Sequence, residues 1–460
     1  MVLEAKGLSK MGGFRVATDD LLSEKRREAF WYEETLRGIL SCVHVHGGDL
    51  VSMDGDCFVF AWTGDSKVGD LSTTARQAVK SLKDIYAKFG SKSKGVKLIS
   101  SLRGGVAAGD VQIVFAGDVD AERCFFLLSG QKYDDAMSCM REAKSEEVVI
   151  SKLLSSTLSN VFGNPLRLTQ SKNASVDLKK STIKPMFKLE SQYDVLSLAQ
   201  SEDDFDNLEG ELMYFVPPPI LQILSHEGRD QERWANDRRM ETTCLRLRIR
   251  MGDASKSGSS GLSLDDLQST ISVVQDVTHL YGGDVLNLYL NGGSDLCVLA
   301  CFGMPTELHE DDPERAVLAS MKIRAEIDKF PTLAIVTTGA VFCGSVGLDN
   351  SKRYSVLGVP VTRGYEMMSS CKMTSGVCCD ETTHDACTEN GELFFRPCSP
   401  GTSCCKQCYT PYSDSKNESN KVSFKQLFFF SLFLSLNSLT HLTHSLRHGM
   451  LHVCPHSRCK

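Results

Sequence analysis

The chain carries one plan twice, in the same order and at nearly one spacing. Gly47-Gly48-Asp49 recurs as Gly282-Gly283-Asp284, an offset of 282 − 47 = 235. Gly109 recurs as Gly339, at 339 − 109 = 230, and Gly130 as Gly358, at 358 − 130 = 228. This period is too long for a solenoid, whose units run to about 20–50 residues. It marks the internal duplication of a domain of about 150 residues, an ordinary domain size. Between the anchors the apolar pattern alternates as β-α-β-β-α-β-β in each copy. That alternation predicts an α+β fold, a mainly antiparallel sheet with helices packed on one face.

The repeat sets the boundaries. Of 460 residues, 1–168 form the first copy and 239–395 the second. Residues 169–238 read as a connector, ending in Phe215-Val216-Pro217-Pro218-Pro219, where three prolines force extended chain and a short helix follows over 220–224. Within the first copy, helices are expected over 20–42 and 70–90, with strands over 96–102, 104–108, 111–115 and 124–128. In the second, strands are expected over 243–249, 296–302, 333–338 and after Gly339, and helices over 262–280 and 313–330.

The tail, 396–460, is rich in Cys, His and Ser, and five of the eleven histidines fall after residue 440. It reads as a disordered extension, although a His-rich tract is also able to bind metal. Eight of the 18 cysteines lie between Cys371 and Cys408. Cys405 and Cys408 form one Cys-x-x-Cys, with His384, Cys387 and Cys398 as further candidate ligands, but the spacing matches no standard zinc knuckle. Met1-Val2-Leu3-Glu4-Ala5-Lys6 has no export signal, so reduced thiols and a cytoplasmic location are expected. A net charge of −7 argues against a nucleic-acid partner. The apolar run from Leu427 to Leu436 is shorter than the roughly 17–25 residues of a membrane span, so no stable span is expected.

Within the first copy, Asp54-Gly55-Asp56 joins two apolar runs as a hairpin turn. Two carboxylates at such a tip suit a hard cation, and they are equally ordinary turn chemistry.

Taken together, several stretches resemble the catalytic domain of class III nucleotidyl cyclases. In the first copy they are Gly47 through Trp62, Gly109 with Gly117-Asp118, and Phe126 through Asp135. In the second they are Gly282-Gly283-Asp284, Ala300 through Pro305, His309 through Ala316, Gly339 through Gly347, and Arg353 through Gly358. The tandem arrangement with its Phe-Val-Pro-Pro-Pro connector resembles the soluble adenylyl cyclase branch. The resemblance implies two ferredoxin-like domains paired head to tail as an intramolecular pseudo-dimer, with the site between them. It also implies conversion of ATP to cyclic AMP and pyrophosphate with Mg²⁺ or Mn²⁺, and so a role in cyclic-nucleotide signalling.

Carried over residue by residue, the resemblance places the two metal ligands at Asp56 and Glu4, the latter where the family has aspartate. The adenine-reading positions become Ser355 and Val356, and the accompanying lysine falls at Gly293 or Ser294. The transition-state Asn and Arg positions become Thr362 and Glu366, the second a charge reversal. The first-half phosphate-binding arginine becomes Met137, and the lysine linked to bicarbonate sensing becomes Ser52. Losing one electrostatic donor of this kind costs roughly 10²–10³ in rate, and here several are changed together. Two readings follow: a soluble-type adenylate cyclase homologue with a degraded site, or a catalytically inactive cyclase-fold regulatory or scaffold protein.

Overall fold

A computed structural model describes residues 1–6, 34–63, 71–90, 99, 101–118, 123–151, 154, 168–170, 213–217, 238–252, 263–292, 295–304, 308–348, 351–390, 393–398 and 408–412. The remainder of the expected 20–42 helix, most of the connector, the 220–224 helix, the Leu427–Leu436 run and the His-rich tract lie outside the described residues.

The first half contains β1 (Val2–Lys6), α1 (34–44), β2 (Asp49–Asp54), β3 (Cys57–Ala61), α2 (Leu71–Phe89), β4 (Ser101–Val106), β5 (Gln112–Asp118), β6 (Arg123–Ser129), α3 (Gln131–Glu142), β7 (Glu147–Ile150) and β8 (Leu168–Gln170). Its main sheet runs β2-β3-β1-β4-β7-β8, with β5-β6 as a separate hairpin. The second half contains β9 (Arg238–Arg250), α4 (Leu264–Leu280), β10 (Gly283–Asn291), β11 (Asp295–Phe302), α5 (Asp312–Glu326), β12 (Thr332–Leu348), β13 (Ser351–Gly358), α6 (Val359–Ser370), β14 (Gly376–Asp380), α7 (Glu381–Asn390), β15 (Phe394–Pro397) and β16 (Cys408–Tyr412). Its sheet runs β10-β11-β9-β12-β14-β16-β15, with β13 paired to β12.

The two sheets share one order, edge hairpin, first strand, long strand, parallel strand. The backbone repeats at finer grain too. A bulge interrupts the β2–β3 ladder between Leu50 and Ser52, and another interrupts β10–β11 between Val285 and Asn287, again 235 residues on. Gly47 and Gly282 both take positive φ, 70° and 75°, where a side chain is strained. Beside them, a Cβ on Gly48 would strike Trp62 and one on Gly283 would strike Phe302, so each ring packs directly against its glycine.

Three expectations change. Helices cover both faces of each sheet, because alternate strand residues are buried on both sides. Leu245, Leu247 and Ile249 pack with α4 and α5, whereas Leu333 and Ile335 pack with Met367 and Met368 of α6. The strand expected to end at Gly339 runs on as β12, since its pairing with β9 continues from Thr332↔Ile249 to Cys343↔Arg238. The second sheet also continues beyond residue 395. β16 pairs with β14 (Cys379↔Tyr409, Asp380↔Cys408), so part of the expected tail is ordered strand.

The halves exchange arms. Phe125 and Leu127 of β6 and Ala116 of β5 belong to the second half's core beside α4. Gln268 of α4 bonds the backbone of Gly117, and Gln275 donates to the Arg123 carbonyl at 2.9 Å. In return, Val346 of β12 and Leu357 of β13 sit in the first half's core with Leu3, Phe58 and Leu102. This reciprocal packing is an intramolecular pseudo-two-fold dimer, each half covering apolar surface of the other.

Candidate functional site

Directly opposed residues on antiparallel strands carry their side chains on one face. In the first half the register aligns Asp54 (β2) with Cys57 (β3), Cys57 with Glu4 (β1), and Glu4 with Arg103 (β4). These four side chains form a row across the sheet. Met1, Leu3 and Ala5 alternate to the other side and enter the core, which leaves the row on the face opposite. In the second half, Asn287 (β10), Leu299 (β11) and Arg246 (β9) form the matching row.

The two rows meet. Arg246 donates to both Asp54 oxygens, at 2.8 and 2.9 Å, with the two side chains 4% and 7% exposed. Burial works against the Arg246 charge, but the Asp54 carboxylate beside it holds the guanidinium above its ordinary range. Asn287 donates to the Met53 carbonyl at 2.9 Å. Arg353 of β13 donates to the carbonyls of Leu50 and Val51, at the β2 bulge. Arg141 of α3 donates to Asn291 of β10.

Within the first row, Arg103 takes both oxygens of Glu4, one of them at 3.0 Å. The hydrogen bond to Glu4 is the main reason that Arg103 is held above its ordinary range. Cys57, between Glu4 and Asp54, is pushed up to about 12, first by burial and then by those carboxylates. Tyr289 is raised well above the usual phenol range by burial, with the Asp54 charge adding to it.

The residues expected at the site fall as follows. Glu4 is buried in the row. Asp56 lies at the β2–β3 turn, its carbonyl accepting from the Ala5 N–H at 2.8 Å, so Glu4 and Asp56 come from adjacent strands. Ser355 is 7% exposed on β13. It shares a strand face with Arg353 and Leu357, both of which contact the first half, which puts it at the half–half interface. Val356, one residue on, points instead into the cluster of Val341, Cys343 and Val361. Thr362 caps back onto the Gly358 carbonyl at 3.3 Å on α6, and Glu366 is exposed one turn later. Arg363 beside them bonds Asp380 at 2.6 Å. Met137 is buried against Val2, Val59 and Tyr133. Ser52 is half-buried on β2, and Gly293 and Ser294 lie outside the described residues.

Sequence reasoning assigned a metal role to Asp56 and missed Arg103 and the Asp54–Arg246 pair. A signal existed. In Leu245-Arg246-Leu247-Arg248-Ile249-Arg250 an arginine takes every second place on a central strand. Such a stripe needs carboxylates opposite it.

One of the two expected ligands, Glu4, does not fit a divalent cation. Both oxygens of Glu4 are bound by the Arg103 guanidinium, whose charge opposes a cation at that expected ligand, and Arg246 binds both oxygens of Asp54, two residues before the other expected ligand, Asp56. Among the described residues no group of three His, Cys, Asp or Glu is arranged to hold a metal ion, and none of the helices is long and apolar enough to cross a membrane. The fourteen described cysteines are free thiols.

No known family profile matches the chain. A class III adenylyl cyclase-like ATP-binding protein from Pseudomonas aeruginosa shares its fold, with a TM-score of 0.53 over 84% of this chain and 83% of that one, at 13% identity. The chain thus resembles the class III cyclases, in an α+β architecture of two paired cyclase-like halves. Its curated relatives are more particular. It is 24% identical over 372 residues to adenylate cyclase type 10 of Oryctolagus cuniculus, and 24% over 370 residues to that of Homo sapiens. Each alignment covers 76% of this chain and 22% of the relative, so the chain spans about a fifth of their length.

Proposed function

We propose that this chain is an adenylate cyclase homologue of the soluble type with a degraded cyclase site. It then makes cyclic AMP from ATP at a small fraction of a working cyclase's rate, and it acts as a cyclase-fold regulatory or scaffold module. The observation that carries this reading is the closing of Glu4, one of the two expected metal ligands, by a guanidinium. Glu4 is closed by Arg103, and Asp54 is closed by Arg246 from the other half. A carboxylate so held is a poor ligand for Mg²⁺ or Mn²⁺, since the metal must displace a charge-assisted bidentate bond. Thr362 and Glu366 point the same way. Phosphoryl chemistry of this kind relies on fixed positive charge over the leaving pyrophosphate, and Glu366 supplies the opposite sign.

Ser355 at the interface keeps a hydroxyl at the position expected to read adenine, so nucleotide binding can outlast turnover. The test is an assay of ATP to cyclic AMP on the full chain with Mg²⁺ and with Mn²⁺, alongside titration of a non-hydrolysable ATP analogue. Turnover is expected to be lower than that of a working cyclase by about 10³ or more, from the loss of at least two charge-stabilising groups. Robust turnover abolished by Asp56→Ala would overturn the proposal. Analogue binding weakened by Ser355→Ala would identify a nucleotide-sensing module, and no binding would leave a scaffold.

A further inference from the structure

Three thiols converge at the β14–β16–β15 edge of the second sheet. The register sets Asp380 opposite Cys408 and Cys379 opposite Tyr409, so Cys378 falls opposite Thr410. Opposed residues and residues two apart share a face, which brings Cys378, Cys408 and Thr410 to one side. Cys398 follows β15, and its N–H donates to the Cys408 carbonyl at 2.9 Å. Its sulfur lies 3.7 Å from the Cys378 sulfur and 3.2 Å from the Thr410 hydroxyl. Cys378 also sits 3.7 Å from the Met373 sulfur. Cys378 and Cys408 are buried, whereas Cys398 is half-buried and open to a small reagent.

From this geometry we infer that Cys398 is an oxidation site for hydrogen peroxide, with Cys378 as its resolving thiol. Electrostatics support the polarity of the pair. A hydrogen bond from Cys378, then those from Thr410 and Cys408 and the nearby Arg396, hold the Cys398 thiol below the ordinary thiol range against the opposing effect of burial. Burial drives neighbouring thiols the other way, with Cys387 pushed up to about 12. The thiolate is the nucleophile.

The Cys398 thiolate attacks one peroxide oxygen, an S–O bond forms as the O–O bond breaks, and hydroxide leaves to be protonated to water. The Cys378 sulfur then attacks the sulfenic sulfur, the S–S bond forms, and the S–O bond breaks to release a second water. Two thiols and one peroxide yield one disulfide and two waters. Closing the bond moves the sulfurs from 3.7 Å to the disulfide length of about 2.05 Å.

A built-in comparison exists. Cys244 and Cys301 face each other at 3.8 Å, but both are fully enclosed, at 2% and 0% exposure. The test treats the full chain with hydrogen peroxide, quenches with an alkylating reagent at intervals, and maps non-reduced peptides by mass spectrometry. A Cys378–Cys398 disulfide is expected to form about tenfold faster than Cys244 and Cys301 are lost, the order of gain in thiolate fraction. Cys378→Ser should leave a sulfenic acid on Cys398 that dimedone traps, and Cys398→Ser should leave Cys378 reduced. A Cys398 that stays alkylatable while Cys244 is consumed would overturn the inference. So would a link from Cys398 to any other cysteine. The wild-type time course decides this even where a variant fails to fold.

Discussion

At the scale of single residues, Asp54 and Arg246 form a buried bidentate ion pair across the two halves. Removing one partner leaves an uncompensated charge in the interior, so Asp54→Ala should lower stability by about 3–5 kcal/mol. Asp54→Leu combined with Arg246→Met should return most of that loss, because the pair's own desolvation disappears with it. Urea denaturation of the single and double variants reads both effects. Asp134, in the first turn of α3, titrates abnormally. Burial, then the charge of Asp135, raises its carboxyl from 3.8 to about 6, against the pull of Arg141. The folded state therefore takes up this proton before the unfolded one, and the group disfavours folding while charged. Its contribution relaxes as pH falls from about 6 to 3.8. Asp134→Asn should accordingly stabilise the chain at pH 7, with an advantage that fades across that window in denaturation series. The Asp-Gly-Asp turn was legible in the sequence. That Asp54 faces an arginine 192 residues away was not, since the partner is chosen by strand register and half–half docking.

Among elements, the β5–β6 hairpin does in the first half what the far end of β12 with β13 does in the second. Yet the first copy breaks the long strand into β4 and β5, with Gly109 between them. Both arms serve the other half's core. Leu127 is 1% exposed and packs among second-half residues. Leu127→Ala should cost about 2–5 kcal/mol, and the loss should appear in amide exchange of α4 as well as of β6. The hairpin itself is plain in the sequence from Gly117-Asp118 and its flanking apolar runs. Its destination is not, because alternation marks a buried face without naming what buries it. The same limit explains the helices. Periodicity located α2, α4 and α5, but the expectation of a single covered face failed, since the sheets are apolar on both sides.

For the whole molecule, the shared cores make the halves mutually dependent. Residues 1–170 or 238–412 expressed alone should expose the surface that the partner's arm covers, and should aggregate or populate loose states. Co-expressed, they should elute together on size exclusion and unfold in one transition. Two independent transitions at wild-type midpoints would contradict the shared-core arrangement. The duplication and the α+β class were determined by the sequence alone, resting on local rules, glycines and apolar periods that repeat at nearly one offset, whereas the pairing of two cyclase-like halves was what the family resemblance implied. Only the tertiary structure decided how the Glu4 and Asp54 carboxylates are partnered. That Glu4 and Asp54 meet guanidiniums depends on Arg103 and Arg246, which are brought to them by sheet register and by the docking of one half on the other. Charge complementarity between residues remote in sequence is a property of three-dimensional distance, and no spacing along the chain encodes it.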